Sequence, residues 1–201
     1  MVSVRAALLY RMAFLIEHDA QRTIHLFLKT MTKDSERLML TSIDALQYLV
    51  HHNFVLLTPH IRKWSQYKKE QGKLGAILTH CWLKGYKGSG SLLNNVCKIS
   101  EAARASSVEI AIANLFYEDE KIKEKCHTIF RRFLQDKSEK VTTQYNHMFL
   151  HIRDKNYTFE QFLPCMKMYT KGNAVRRDPH YFYDYLLKYT ASYPKECIDL
   201  I

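Results

Sequence analysis

The chain has 201 residues, 47 % of them hydrophobic and 25 % charged, with a formal net charge of +10. A chain of that length removes roughly 70 % of its unfolded surface from water, which excludes a disordered tail, and six glycines with four prolines exclude a collagenous or low-complexity sequence. Five cysteines (Cys81, Cys97, Cys126, Cys165, Cys197), odd in number and without a Cys-x-x-Cys pair, suggest neither a disulfide framework nor a thiolate zinc site and fit a reducing compartment, cytoplasmic or nuclear.

No stretch offers the 18 or so apolar residues of a membrane span, and no basic-then-apolar signal peptide opens the chain. What the patterning predicts instead is helix throughout. An apolar stripe of helical period opens at Val4 and continues through Leu8 and Met12. Asp19 is a good N-cap for a second segment over residues 19–31, with Ile24, Phe27, Leu28 and Met31 on one side. Stripes of the first kind return at Leu38, Leu74, Val108 and Val141, at spacings of 34, 36, 34 and 33 residues. Eight positions after each anchor stands an apolar residue: Met12, Leu46, Trp82, Phe116 and Phe149. One such stripe is merely one buried face; five at a near-constant spacing indicate a repeat.

Partner segments lie between the anchors. One is expected to begin at Thr58-Pro59, where proline suits a first helical turn, with Ile61 and Trp64 facing inward. A short one spans about 91–99, a third 119–135, and a fourth 158–170, where Thr158 and Gln161 have capping-box spacing. Asp-bearing turns recur at Lys33-Asp34-Ser35-Glu36-Arg37-Leu38 and at Gln135-Asp136-Lys137-Ser138-Glu139-Lys140-Val141. With Val4-Arg5-Ala6-Ala7 and Phe130-Arg131-Arg132-Phe133, these residues resemble HEAT repeats over most of 1–155. The resemblance implies an all-α fold of antiparallel helix pairs stacked as a HEAT-like α-solenoid, about five units in a single domain over 1–201. The third unit departs from it, because Gly75 follows its anchor. Near the end, Val175-Arg176 nearly continues the period, and Asp178-Pro179 restarts an altered unit whose helix, about 179–190, is rich in tyrosine.

Both ends read as unfinished: Val4 opens an anchor helix without a preceding partner, and Cys197-Ile198-Asp199-Leu200-Ile201 is apolar. A fragment of a longer protein is the expectation, or a chain that needs flanking repeats or self-association to cover its ends.

Charge and glycine both concentrate in residues 51–100, which hold eight basic side chains against the single acid Glu70, and five of the six glycines. Lys84-Gly85-Tyr86-Lys87-Gly88-Ser89-Gly90-Ser91 is expected to be a flexible loop or a joint at 84–91. It does not match G-x-x-x-x-G-K-[ST], and no strand pattern precedes it, so it is not read as a nucleotide-binding loop. His147 and His151 are four apart, but no third ligand accompanies them at a recognisable spacing, so no metal site is assigned. No nucleophile elbow, His-Glu-x-x-His or paired-carboxylate motif occurs, so neither catalysis nor a cofactor is expected.

The strongest functional suggestion is an anion or nucleic-acid site formed by Arg62, Lys63, Trp64, Lys68, Lys69, Lys73, Lys84, Tyr86 and Lys87, where cations neutralise phosphates and aromatics stack on bases. Two functions are therefore expected in order. The first is a non-enzymatic protein-interaction scaffold or sensor module, part of a larger protein. The second is nucleic-acid binding through residues 62–87, similar to the HEAT-type glycosylases that repair alkylated DNA bases, although no motif carries a catalytic Asp across.

Overall fold

The computed structural model describes residues 2–31, 36–153 and 157–201. Among them are thirteen helices and no strand. The turn read at Lys33-Asp34-Ser35 lies outside the described residues. The chain divides into two compact units, Met1–Ala103 and Arg104–Ile201.

The first unit opens with α1 (Val2–Ile16) and α2 (Ala20–Thr30), the latter capped by the Asp19 side chain, which accepts from the Arg22 N–H at 2.9 Å. α3 (Glu36–Leu49) packs on α1, and the core between them takes Leu9, Met12, Leu38 and Leu46. α4 (Phe54–Trp64) begins four residues before the expected Thr58. The stronger start signal is Asn53, whose side chain accepts the Leu56 N–H at 3.0 Å, and this leaves Pro59 inside the helix. The N–H that proline lacks would have met the carbonyl of Val55, so one bond of the helical ladder is missing there.

α5 (Gln71–Leu83) packs against α3 and α6 (Ser89–Ile99). Only Lys84–Gly88 lie outside helix in the stretch expected to be a loop over 84–91, and they form a closed turn. Tyr86 N–H donates to the Cys81 carbonyl at 3.0 Å, and the buried Ser89 hydroxyl donates to the Tyr86 carbonyl at 2.6 Å. Gly85 and Gly88 adopt φ of +81° and +85°, which a residue with a Cβ reaches only with strain.

A single residue, Ser100, separates α6 from α7 (Glu101–Ala113), and its hydroxyl accepts the Ala103 N–H at 3.2 Å. α7 therefore starts seven residues before Val108, which sits in mid-helix rather than at the opening of its stripe. Gly75, which follows the third anchor, sits at a close helix contact. A Cβ there would lie 2.6 Å from the Ala103 Cα and 2.8 Å from its carbonyl oxygen, so the helices meet closely at that point.

The second unit continues with α8 (Glu120–Phe133), α9 (Glu139–Arg153), α10 (Phe159–Tyr169), α11 (Ala174–Arg177), α12 (His180–Leu187) and α13 (Pro194–Asp199). Asp136 organises the α8–α9 turn: one carboxylate oxygen accepts the Ser138 N–H at 2.9 Å and the other receives Arg104 Nε at 2.5 Å. Thr158 and Gln161 form the expected capping box on α10. The tyrosine-rich segment is shorter than expected, its helix ending at Leu187, yet it supplies core. Phe149 of α9 sits against Phe162, Tyr169, Phe182 and Tyr185 with ring centroids 4.9–5.8 Å apart. Two buried tyrosines are satisfied there, Tyr145 donating to the Phe130 carbonyl and Tyr169 to Asn146 Oδ1, each at 2.6 Å.

Candidate functional site

The basic set of residues 62–87 is distributed over the end of α4 and both ends of α5. Arg62 and Lys63 stand exposed near the end of α4, Lys68 and Lys69 in the following turn, and Lys73 in the first turn of α5. Lys84 and Lys87 lie beyond the other end of α5, roughly 16 Å from Lys73 at 1.5 Å per residue. The aromatic members are committed elsewhere. Trp64 is fully buried and its indole N–H donates to Ser42 Oγ at 3.2 Å, so it cannot stack on a base. Tyr86 leans on His51 and Phe54 with centroids 6.2 and 5.7 Å away. Lys73 is paired with Asp44 at 3.0 Å and Glu70 at 3.5 Å, and its hydrogen bond to Asp44 holds its pKa above the ordinary lysine value.

Sequence reasoning passed over a groove between α3 and α5, about 440 Å³ in volume, lined by Gln47, Tyr48, His51, Lys73, Ala76, Ile77 and His80. The α5 side follows from helical periodicity, since 73, 76, 77 and 80 share one face. No carboxylate lines it. Burial, reinforced by the nearby Lys84 ammonium, lowers the pKa of both His51 and His80, and His80 and His52 add to the effect on His51. The two imidazoles that face the groove are therefore harder to protonate than a free histidine.

Elsewhere the reactive side chains are structural. All five cysteines are buried and free, and burial pushes the thiols of Cys81, Cys126 and Cys165 up to about 12. His147 lies against Tyr181 with centroids 6.0 Å apart, while His151 is exposed. Among the described residues no group of three or more His, Cys, Asp or Glu could hold a metal ion, and no helix is long and apolar enough to cross a membrane.

The outer face of α1 departs from α3, α5 and α9 at the positions that the sequence spacing aligns. The anchor position is at most 2 % exposed in Leu38, Leu74 and Val141, which open the stripes of α3, α5 and α9, but Val4 is 73 % exposed. Seven residues on, Ala45, Cys81 and Met148 are again at most 2 % exposed, whereas α1 has Arg11, in the solvent. Ala7, Tyr10 and Phe14 are exposed with them, and the Arg11 guanidinium lies 6.0 Å from the Phe14 ring centroid. No protein-family model matches the chain, and no curated protein or solved structure matches it.

Proposed function

We propose that the chain is a protein-interaction module, built from helix pairs of HEAT-like character, that receives a partner on the outer face of α1. The observation that carries this reading is the register anomaly: Val4 and Arg11 are solvated at positions that are covered in α3, α5 and α9. Val4, Tyr10 and Phe14 are large apolar side chains exposed on this one helix, and clustered exposed apolar residues mark an interaction site more often than scattered ones do.

A photocrosslinking phenylalanine analogue placed at Phe14 tests it in the intact cell. The expected result is one dominant crosslinked protein, absent when the same analogue replaces the exposed Lys98. Equal, diffuse labelling from both positions would refute the reading.

Nucleic-acid binding is the second reading, favoured by the net charge of residues 51–100. Anisotropy titration with labelled single- and double-stranded DNA and RNA at two salt concentrations tests it. Affinity that falls steeply with salt supports it, and no binding at low salt removes it.

A further inference from the structure

The partner face of α1 has a charge that specifies what can cover it. Val2–Ile16 contains Arg5 and Arg11 and no acidic residue. Arg11 occupies the position that holds Ala45 in α3, Cys81 in α5 and Met148 in α9. A helix laid over this face in the manner of those helices would place its own apolar residues on Val4, Ala7 and Phe14 and would enclose a guanidinium at the centre. An enclosed guanidinium without an anion is strongly unfavourable. A second copy of the same helix would bring another arginine to the contact, so self-pairing through α1 opposes like charges.

We infer that the outer face of α1 is a docking site for an amphipathic helix of another protein, one that carries an apolar stripe at i, i+4 and i+7 with a carboxylate set to meet Arg11. This rests on the protein-interaction reading above and adds the chemistry of the partner. The stripe satisfies Val4, Ala7 and Phe14 as anchors in a helix-on-helix contact. The carboxylate accepts from the guanidinium, whose planar array of donors suits bidentate recognition. Arg11 thereby acts as a filter, rejecting apolar helices that leave it unpaired and basic helices that repel it.

The experiment uses the full chain and two fluorescein-labelled, alanine-based helical peptides. Both have leucine at i, i+4, i+7 and i+11. One has glutamate beside the stripe, and the other has lysine at the same positions. The glutamate peptide is expected to bind at least tenfold more tightly than the lysine peptide. Val4→Asp weakens the glutamate peptide about tenfold or more, and Arg11→Glu reverses the preference between the two. Both substitutions are at exposed positions, and circular dichroism verifies that each variant folds. Tyr48→Ala, in the α3–α5 groove, leaves binding unchanged.

Equal affinity for the two peptides overturns the inference, as does binding that depends on Tyr48 rather than Val4. So do a dimer in sedimentation equilibrium that Val4→Asp dissolves, and binding only to phosphatidylserine vesicles through Val4 and Arg11. If neither peptide binds while crosslinking from Phe14 still captures a single protein, the partner chemistry is wrong and the interaction reading survives. If the crosslink also fails, both fall.

Discussion

Substituting Gly75 by alanine sets two effects of opposite sign against each other. Gly75 lies inside α5, where replacing glycine with alanine ordinarily stabilises a helix by about 1 kcal/mol. Here the new Cβ would stand 2.6 Å from the Ala103 Cα and 2.8 Å from both its carbonyl oxygen and its Cβ. Two of those three atoms are backbone, so no side-chain rotation relieves the contact and α5 must move relative to α7. Overpacking of this kind costs about 1–3 kcal/mol, and the backbone obstruction places this site toward the upper part of that range. The net loss is then about 1–2 kcal/mol, which for a chain of this size lowers Tm by roughly 2–8 °C. Differential scanning calorimetry of Gly75→Ala against the parent measures it. Adding Ala103→Gly removes one of the three contacts and is expected to restore only part of the loss. An increase in Tm for Gly75→Ala alone, as an unhindered helix interior would give, would falsify the close approach of the two helices.

Three further outcomes are expected. His51, His80 and His127 all have pKa values lowered chiefly by burial, so the unfolded chain binds more protons than the folded one as pH falls below about 6.5. Stability therefore declines between pH 7.5 and 5.5, and replacing all three with glutamine should flatten that decline; an unchanged slope contradicts the assignment. Tyr145→Phe leaves the Phe130 carbonyl without its buried donor and is expected to cost about 1–3 kcal/mol in urea unfolding, with a null effect counting against the bond. Native protein titrated with a disulfide reagent at pH 8 should leave Cys81, Cys126 and Cys165 unlabelled until urea is added, because burial holds these thiols protonated; fast native labelling of any one of them shows that it is accessible.

Much of the architecture is legible in the residues, and the misreadings have local causes. Hydrophobic period located the buried anchors Leu38, Leu74 and Val141 of α3, α5 and α9, though not Val4 of α1, and Asp19, Thr158 and Asp136 announced their turns through side chains that accept backbone N–H groups. The start of α4 was missed because a proline in the first-turn pattern outweighed Asn53, although the asparagine makes the cap. The start of α7 was missed because Ser100 ends one helix and begins the next without an intervening loop. Two glycines have roles that composition does not distinguish: Gly75 marks a close approach and Gly88 a left-handed turn residue.

The candidate site was less legible, since charge counting treats residues 62–87 as neighbours, whereas α5 separates Lys73 from Lys84 and the core takes Trp64. Comparing burial at the positions that the sequence spacing aligns is what brings Val4 and Arg11 forward.

The most direct test of the interaction reading takes the protein captured from Phe14, purifies it, and titrates it against the parent chain and Val4→Asp by calorimetry, with thermal melts of both chains alongside. The account predicts equal melting temperatures and an affinity at least tenfold weaker for Val4→Asp. Equal affinities with equal melts would contradict it, because Val4 would then be an apolar residue left in water with nothing to meet.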